Sequence, residues 1–175
     1  FVQDISPAWL DNNLFYVAGG GTVIKSMKFD ITINSYNLVD ASDFSSHLIV
    51  NPITLATFKN NTTNDVNLLL VVNSDGTLAC HNSVAQQKIY AWSQLTTQDG
   101  LFRYAHGARG NCYFIVERQV EGQTFFFIEK SDFNRFLDSS VLKTFDTPTA
   151  LITGLSNLNG RTVQVKADGI FVGTY

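Results

Sequence analysis

The feature that most constrains the fold is a set of short apolar runs, each closed by a turn. The four strongest runs are NLFYVA (13–18), VNLLLVV (66–72), NCYFIVE (111–117) and TFFFIEK (124–130). Each run is rich in aromatic or β-branched residues and has Gly, Asn or Asp at its borders, which is typical of β-strands. The chain is therefore predicted to be all-β.

The same runs barely alternate between apolar and polar residues, so both faces of these strands are expected to be buried. An antiparallel sheet usually leaves one face in water. Strands that are dry on both faces suggest sheets stacked in series, as in a β-propeller. Four turns with Gly support antiparallel hairpins, because Gly takes a positive φ at low steric cost where a chain reverses. They are GGGT (19–22), NSDGT (73–77), EGQT (121–124) and KADGI (166–170).

The hairpins also repeat along the chain. The run from Asn13 to Val17 aligns with the run from Asn67 to Val71, and a weaker third copy begins at Asn111. A spacing of roughly 45–55 residues fits a four-stranded propeller blade. We therefore predict antiparallel four-stranded blades of a partial β-propeller over residues 1–147, with a β-sandwich as the alternative. The blades are placed near 10–60, 61–108 and 109–147, and 148–175 is expected to start a following β-subdomain or to form a closing hairpin.

Three blades raise a problem, because a propeller needs at least four to close. Such a piece exposes the faces of its first and last sheets and is expected to associate. The first residues, FVQDIS, include neither an initiator Met nor a basic segment, so the chain is interpreted as a piece of a longer polypeptide. Helix is expected to be scarce, with one short helix in 40–50 that Ser42 caps and that packs through Phe44, Leu48 and Ile49.

Charge and hydropathy narrow the functional classes. The 175 residues carry a formal net charge of −3, with no run of Lys or Arg. Affinity for nucleic acid comes mainly from clustered cations, so a nucleic-acid-binding surface is disfavoured. No apolar run reaches the roughly 18 residues of a membrane-spanning helix.

The stretch VVNSDGTLACHN (71–82) is the first candidate for chemistry, because Asp75, Cys80 and His81 lie within seven residues. Adjacent residues of a strand point to opposite faces, so Cys80 and His81 are poorly placed to bind one metal ion. The stretch is better interpreted as strand, turn, strand. Leu78 and Cys80 are then expected on one face and His81 on the other, with Asn73, Asp75 and Gly76 making the reversal.

Other candidate sites are also better explained structurally. No G-x-S-x-G is present to place a nucleophilic Ser near His47, His81 or His106. A glycosidase needs two carboxylates, and the candidates by residue type are Asp99, Glu117, Glu121 and Glu129. Arg118 is available to pair with Glu117, and Lys130 is available to pair with Glu129. Cys80 and Cys112 are interpreted as buried thiols, with one disulfide as the alternative. No catalytic, cofactor or metal residue is assigned, and the chain is predicted not to be an enzyme.

Aromatic residues leave a second class of function open. Tyr36, Trp92 and Tyr104 are candidate stacking platforms of a carbohydrate-binding or adhesin-type β-domain. A lone Trp at the end of a strand is more often a core anchor, and that interpretation is favoured for Trp92.

Taken in order, several short motifs resemble one family. An apolar strand is followed by Ser74-Asp75-Gly76-Thr77-Leu78, Gln87 to Trp92, Thr97 to Gly100, Val116-Glu117-Arg118 and Ile128-Glu129. Upstream stand Asp40, Ser42, His47 and Leu48, and downstream stand FLDSSV and LNGRTVQVKADG. The order is similar to that of the tail nozzle proteins of short-tailed bacteriophages, also called tail tubular protein B or phage stabilisation proteins. The chain departs from the family at Gln94-Leu95, where a basic residue and His are common.

The resemblance implies a structural virion protein without catalytic residues or cofactor. Members of the family form a hexameric ring at the end of a short tail, next to adaptor and tail-fibre proteins. Their subunits contain β-domains that include a propeller, and the ring conducts DNA during ejection. A neutral or acidic channel would let DNA pass without binding, since affinity for phosphate rises with each cation. The expected location is the virion, after synthesis in the bacterial cytoplasm.

Overall fold

The computed structural model describes residues 4–59, 67–84, 89–132 and 137–175. It is built almost entirely of antiparallel strands, and regular helix in these ranges is confined to two short 3-10 helices, Asp43–Leu48 and Ser156–Leu158. The predicted all-β class is confirmed. None of the sheets formed by the described strands closes into a barrel. The described helices include none that is both long and apolar enough to cross a membrane.

Thirteen described strands form four sheets. The first and second sheets have four strands each, in the orders β1-β2-β3-β4 and β5-β6-β7-β8. The third has three, in the order β11-β10-β9, and β12 and β13 form a separate hairpin. The strands are β1 (Ala8–Leu10), β2 (Asn13–Ala18), β3 (Val23–Asp30), β4 (Ser35–Asp40), β5 (Pro52–Lys59), β6 (Asn67–Asn73), β7 (Leu78–Val84), β8 (Ile89–Leu95), β9 (Gly100–Ala108), β10 (Asn111–Val120), β11 (Gln123–Lys130), β12 (Gln164–Ala167) and β13 (Ile170–Thr174).

The sheets differ from the predicted repeats at both boundaries. β5 (Pro52–Lys59) belongs to the second sheet, whereas the sequence placed the second unit near 61. The third sheet begins at Gly100, whereas the sequence placed the third unit near 109. The reason is that β9 pairs with β10 along its length, from Ala108 opposite Asn111 to Gly100 opposite Arg118. The second and third units are therefore divided between Leu95 and Gly100.

Two-residue turns connect several hairpins. In the β10–β11 turn, Glu121 and Gly122 have φ values of 50° and 77°, and in the β12–β13 turn Asp168 and Gly169 have 50° and 81°. Positive φ at both central positions is the geometry that matches the right-handed twist of paired strands. These turns lie where the sequence placed them.

The three larger sheets stack face to face, with the second in the middle. From β6, Leu69 and Val71 join a buried cluster that also contains Phe15 and Val17 of the first sheet. The alternate residues Leu70 and Val72 join another cluster with Phe102, Cys112 and Val116 of the third sheet. All four β6 residues are at most 1% exposed. The expectation that the apolar strands are buried on both faces is confirmed for β6. It is wrong for β11, where Phe125, Phe126 and Ile128 are 43%, 63% and 81% exposed, because no further sheet among the described residues covers that side.

The segment between the first two sheets departs from its prediction. Residues Asp43–Leu48 form a 3-10 helix, and Ser42 makes no side-chain cap. Instead the Ser42 hydroxyl accepts a hydrogen bond from the Ile24 amide at 2.9 Å, which fastens the connection to β3. Ile49 is buried as expected, but Phe44 is 97% exposed, so its assignment to the packed side was wrong. A 3-10 turn of this length rotates Phe44 away from the sheets that hold Ile49.

Candidate functional site

The structure separates the three residues that first suggested chemistry. Asp75 lies in the exposed β6–β7 turn, while Cys80 and His81 are buried on opposite faces of β7. Cys80 belongs to the cluster shared with the third sheet, whereas His81 contacts Phe15 of the first sheet. The strand–turn–strand interpretation is confirmed, and the three side chains do not converge.

Asp75 shapes the turn. Its carboxylate accepts hydrogen bonds from the Thr77 amide at 2.9 Å and the Thr77 hydroxyl at 2.7 Å. Asp30 holds Thr32 in the same way, at 2.9 and 2.6 Å. An Asp that binds the backbone two residues ahead is a common device for reversing a chain.

Asn73 fastens that turn to the connection between the first and second sheets. It is fully buried; its carboxamide oxygen accepts from the Val50 amide at 3.0 Å, and its nitrogen donates to the Leu48 carbonyl at 2.8 Å. The same nitrogen donates to the Thr77 hydroxyl at 2.9 Å. A short polar side chain thus satisfies backbone groups that burial would otherwise leave unpaired.

The two cysteines are free thiols in one apolar cluster between the second and third sheets. Burial raises the pKa of Cys80 to about 12, and burial likewise raises the pKa of Cys112 to about 12. The thiolate is the nucleophile and the metal ligand, so such thiols are unreactive at neutral pH. The expected pair of buried thiols is confirmed.

His81 is the most unusual titratable group. It is 3% exposed, and its ring lies 4.9 Å from Trp92, 5.7 Å from Phe15 and 6.3 Å from Tyr90, measured between centroids. Burial lowers its pKa from 6.5 to about 4, although the charge of Asp11 acts in the opposite direction. Its Nδ1 has no hydrogen-bond partner among the described residues. The ring is therefore held neutral inside an aromatic setting.

Arg118 is the centre of the largest polar network among the described residues, and it is only 5% exposed. Its guanidinium binds both carboxylate oxygens of Glu129, at 2.7 and 3.0 Å. It also donates to the Gln98 carbonyl at 2.8 Å, to the Thr97 hydroxyl at 2.6 Å and to the Asp138 carboxylate at 3.5 Å. Opposing carboxylates raise the pKa of Arg118 against the effect of burial, so it stays charged.

Asp138 also binds Thr97 and Gln98, the two residues of the connection that Arg118 contacts. Its carboxylate accepts from the Thr97 hydroxyl at 2.8 Å and from the Gln98 amide at 2.6 Å. Gly100 leaves the necessary room, because a Cβ there would lie 3.0 Å from Nη1 of Arg118. These contacts join β10, β11, the connection between the second and third sheets, and the segment that follows β11. We call these residues, Thr97, Gln98, Arg118, Glu129 and Asp138, the Arg118 network.

Two other candidate carboxylates, Glu117 and Asp99, are held in ion pairs. Glu117 pairs with Arg103 at 2.7 Å, not with the adjacent Arg118 that the sequence offered. Asp99 pairs with Arg161, which also donates to the Gln119 carbonyl at 2.6 Å. Asp99, Glu117 and Arg161 line an open depression of about 470 Å³ beside the third sheet. Sequence reasoning missed Arg161, because its partners lie 42 and 62 residues away.

The candidate stacking aromatics fall into two groups. Trp92 donates its indole N–H to the Ala41 carbonyl at 2.7 Å and packs against the cluster between the first two sheets. Tyr36 and Tyr104 are 59% and 46% exposed. The anchor interpretation is thus confirmed for Trp92, and only the two tyrosines present their rings to solvent.

Across the described ranges, no group of three or more His, Cys, Asp or Glu side chains is arranged to hold a metal ion. No family model and no curated protein matches the chain. Within the part of the chain that the structure describes, the Arg118 network is the most highly connected polar cluster. It consists of paired charges and hydrogen bonds to the backbone, which stabilise the fold.

Proposed function

We propose that this chain is part of the tail nozzle of a short-tailed bacteriophage, a structural ring protein that conducts DNA during ejection. The three stacked sheets are proposed to be consecutive blades of a β-propeller. The subunit is proposed to assemble as a hexamer that neighbours adaptor and tail-fibre proteins in the virion.

The observation that carries the proposal is the convergence of the motifs on which the resemblance rests. Thr97 of the T-x-x-G motif, Arg118 of V-E-R, Glu129 of I-E and Asp138 of FLDSSV come from four separate motifs and meet in the Arg118 network. Residues that serve as joints of the fold are what a structural protein would retain. A catalytic family would be expected to gather its motifs around an open site.

The arrangement of the sheets supports the propeller part of the proposal. Each of the three sheets is an antiparallel meander, and β5, the first strand of the second sheet, lies next to both β1 and β9, the first strands of the other two. The close approach of β9 to β5 is visible at Gly107, where a Cβ would lie 2.2 Å from the Thr57 carbonyl oxygen. Strands that crowd at one edge, with sheets fanning outward, are a property of blades around an axis.

The test is to locate the protein on the particle. Antibodies raised against residues 1–175 are expected to label the distal tip of the short tail in electron micrographs of phage encoded by the same genome. Pre-immune serum serves as the control. Absence of the protein from purified particles would refute the virion role.

The carbohydrate-binding alternative has its own readout. A glycan array probed with the chain would have to show binding that Tyr36→Ala or Tyr104→Ala removes, because these exposed rings are the available platforms. Trp92→Phe is the matched control, since the Trp92 indole N–H is already bonded inside the protein. The nozzle proposal expects no sugar binding by any of these proteins.

A further inference from the structure

The sequence contains a single Asn-Gly pair, Asn159-Gly160, in the segment that follows the third sheet. The side chain of an Asn can be attacked by the backbone nitrogen of the next residue, because the attack closes a five-membered ring. A following Gly favours this reaction, since it has no Cβ to crowd the close approach of its backbone. The pair is therefore a candidate site of covalent modification.

The structure leaves this pair open to reaction. Asn159 and Gly160 are both exposed, and they form a turn directly after the short helix Ser156–Leu158. Gly160 has a φ of 71°, and a Cβ built on it would meet no atom within 4 Å. The backbone hydrogen bonds donated by Asn159 and Arg161 shape the turn without using the Asn159 carboxamide or the Gly160 N–H. Both reacting groups are thus accessible.

A second asparagine two residues earlier shows the opposite arrangement. Asn157 is half-buried inside the short helix and is followed by Leu158, which has a bulky side chain. The Leu158 N–H, which would have to attack, donates to the Leu155 carbonyl at 2.8 Å. The local structure therefore separates a reactive Asn159 from a protected Asn157 within one turn of chain.

We propose that Asn159 is a site of spontaneous deamidation, whose products place a new carboxylate in the turn that carries Arg161. The Gly160 nitrogen bonds to the side-chain Cγ of Asn159, and the bond from Cγ to the amide nitrogen breaks. The amide leaves as ammonia with the proton that the Gly160 nitrogen loses, and a cyclic succinimide remains. Water then opens the ring at Cγ to give aspartate, or at the main-chain carbonyl carbon to give isoaspartate. No atom is oxidised or reduced.

The new charge lies close to a contact between two parts of the fold. Arg161 follows Asn159 by two residues, and its guanidinium pairs with Asp99 and donates to the Gln119 carbonyl at 2.6 Å. These bonds hold the segment before the β12–β13 hairpin against the third sheet. A carboxylate at position 159 offers the guanidinium a partner within its own turn, and charged partners are the stronger ones. We therefore expect deamidation to loosen the contact between Arg161 and Asp99.

Isoaspartate adds a second disturbance. Its main chain runs through Cβ and Cγ, so the backbone between positions 159 and 160 becomes one atom longer. The turn bond from the Arg161 amide to the Leu158 carbonyl, at 3.0 Å, spans this insertion. The proposal depends only on the chemistry of this turn and is independent of the role in a phage tail.

Peptide mapping of the aged chain tests the site. Residues 1–175 are incubated at pH 7 in water enriched in ¹⁸O, digested with trypsin and analysed by fragmentation that distinguishes aspartate from isoaspartate. The tryptic peptide 144–161 contains Asn157 and Asn159 as its only asparagines. Asn159 is expected to convert at least about tenfold faster than Asn157, because only Asn159 precedes a Gly. Each product is expected to carry one ¹⁸O atom from the water that opens the ring.

Variants and a free peptide serve as controls. Gly160→Ala is expected to slow conversion at least about tenfold, because its Cβ crowds the attacking nitrogen. Asn159→Gln is expected to stay intact, since its longer side chain would have to close a six-membered ring. The folded chain is expected to react within about tenfold of the synthetic peptide 144–161, because an exposed turn opens at little cost in free energy. An Asn159 that stays intact while the peptide reacts, or that reacts no faster than Asn157, would overturn the proposal.

Hydrogen exchange tests the effect on the Arg161 contact. Asn159→Asp reproduces the charge of one product, and amides in 97–100 and 161–163 are expected to exchange faster than in the wild type. Ser156→Asp is the matched control, because it adds the same charge at an exposed position farther from Arg161 along the chain. Equal exchange in the wild type and Asn159→Asp would overturn the loosening of this contact.

Discussion

Acid is expected to loosen the junction between the first and second sheets through His81. This histidine is 3% exposed between sheets, and burial holds its pKa at about 4 instead of 6.5. Between these two pH values the unfolded chain binds a proton that the folded chain does not. The stability contributed by neutral His81 is therefore complete above pH 6.5 and is lost as the pH falls from 6.5 through 4.

The size of the effect follows from the same two values. A pKa reduced from 6.5 to about 4 corresponds to roughly 3 kcal/mol of unfolding free energy, at 1.36 kcal/mol per pH unit. That is a sizeable part of the 5–15 kcal/mol by which domains are commonly stable. Asp11 reduces the effect, because its charge favours the protonated ring.

Urea unfolding followed by circular dichroism at pH 7, 6, 5 and 4 measures this contribution. His81→Phe keeps an aromatic ring among Phe15, Tyr90 and Trp92 but cannot be protonated. The stability of wild type relative to His81→Phe is expected to fall by about 3 kcal/mol from pH 7 to pH 4. Carboxylates titrate in both proteins, so their effect cancels in the difference.

The control is His106→Phe, which replaces an exposed histidine on β9. This variant is expected to keep the His81-dependent loss of stability. If wild type and His81→Phe lose stability in parallel between pH 6.5 and 4, the account of a neutral buried ring is refuted.

Three further variants test how the sheets are fastened, each by urea unfolding at pH 7. Arg118→Met leaves two carboxylates without their cation and is expected to cost about 3 kcal/mol, whereas Arg118→Lys keeps a charge and should cost less; equal losses would contradict a contribution from the charge itself. Gly107→Ala forces a Cβ toward the Thr57 carbonyl and is expected to cost at least about 2 kcal/mol. The loss should exceed that of Gly110→Ala, whose Cβ meets no atom within 4 Å and whose cost of about 1 kcal/mol comes only from its φ of 74°. Asn73→Ala strips partners from two partly buried backbone groups and is expected to cost about 2 kcal/mol; a loss below about 0.5 kcal/mol would show that the backbone finds other partners.

The internal repeat in the sequence predicts which strands correspond to each other, but not which face of each strand meets the neighbouring sheet. The alignment sets Phe15 against Leu69 and Val17 against Val71. In the structure these four residues lie in one cluster and face each other across the junction of the first and second sheets. If the aligned residues were in equivalent positions of the stacked sheets, their side chains would all point toward the next sheet of the stack. A register change of one residue moves every side chain of a strand to the other face, and apolar runs without alternation do not reveal it.

Contacts between residues that are distant along the chain could not be predicted from the sequence either. The sequence offered Arg118 to the adjacent Glu117, but β10 is a strand, so adjacent side chains leave on opposite faces. Arg118 instead reaches Glu129, Thr97 and Asp138, which lie 11, 21 and 20 residues away. Only the packing of β10, β11 and two loops brings these groups together.

Local features, by contrast, were determined by the sequence itself. The β class, the turns at Asp75-Gly76 and Glu121-Gly122, and the burial of both faces of β6 depend on backbone preferences and on the apolar content of a few neighbouring residues. Tertiary structure decided which sheet each face meets, why Phe44 is exposed and why His81 is neutral. The physical reason is that periodicity tells which residues of a strand share a face, whereas partners and dielectric surroundings come from strands far away along the chain.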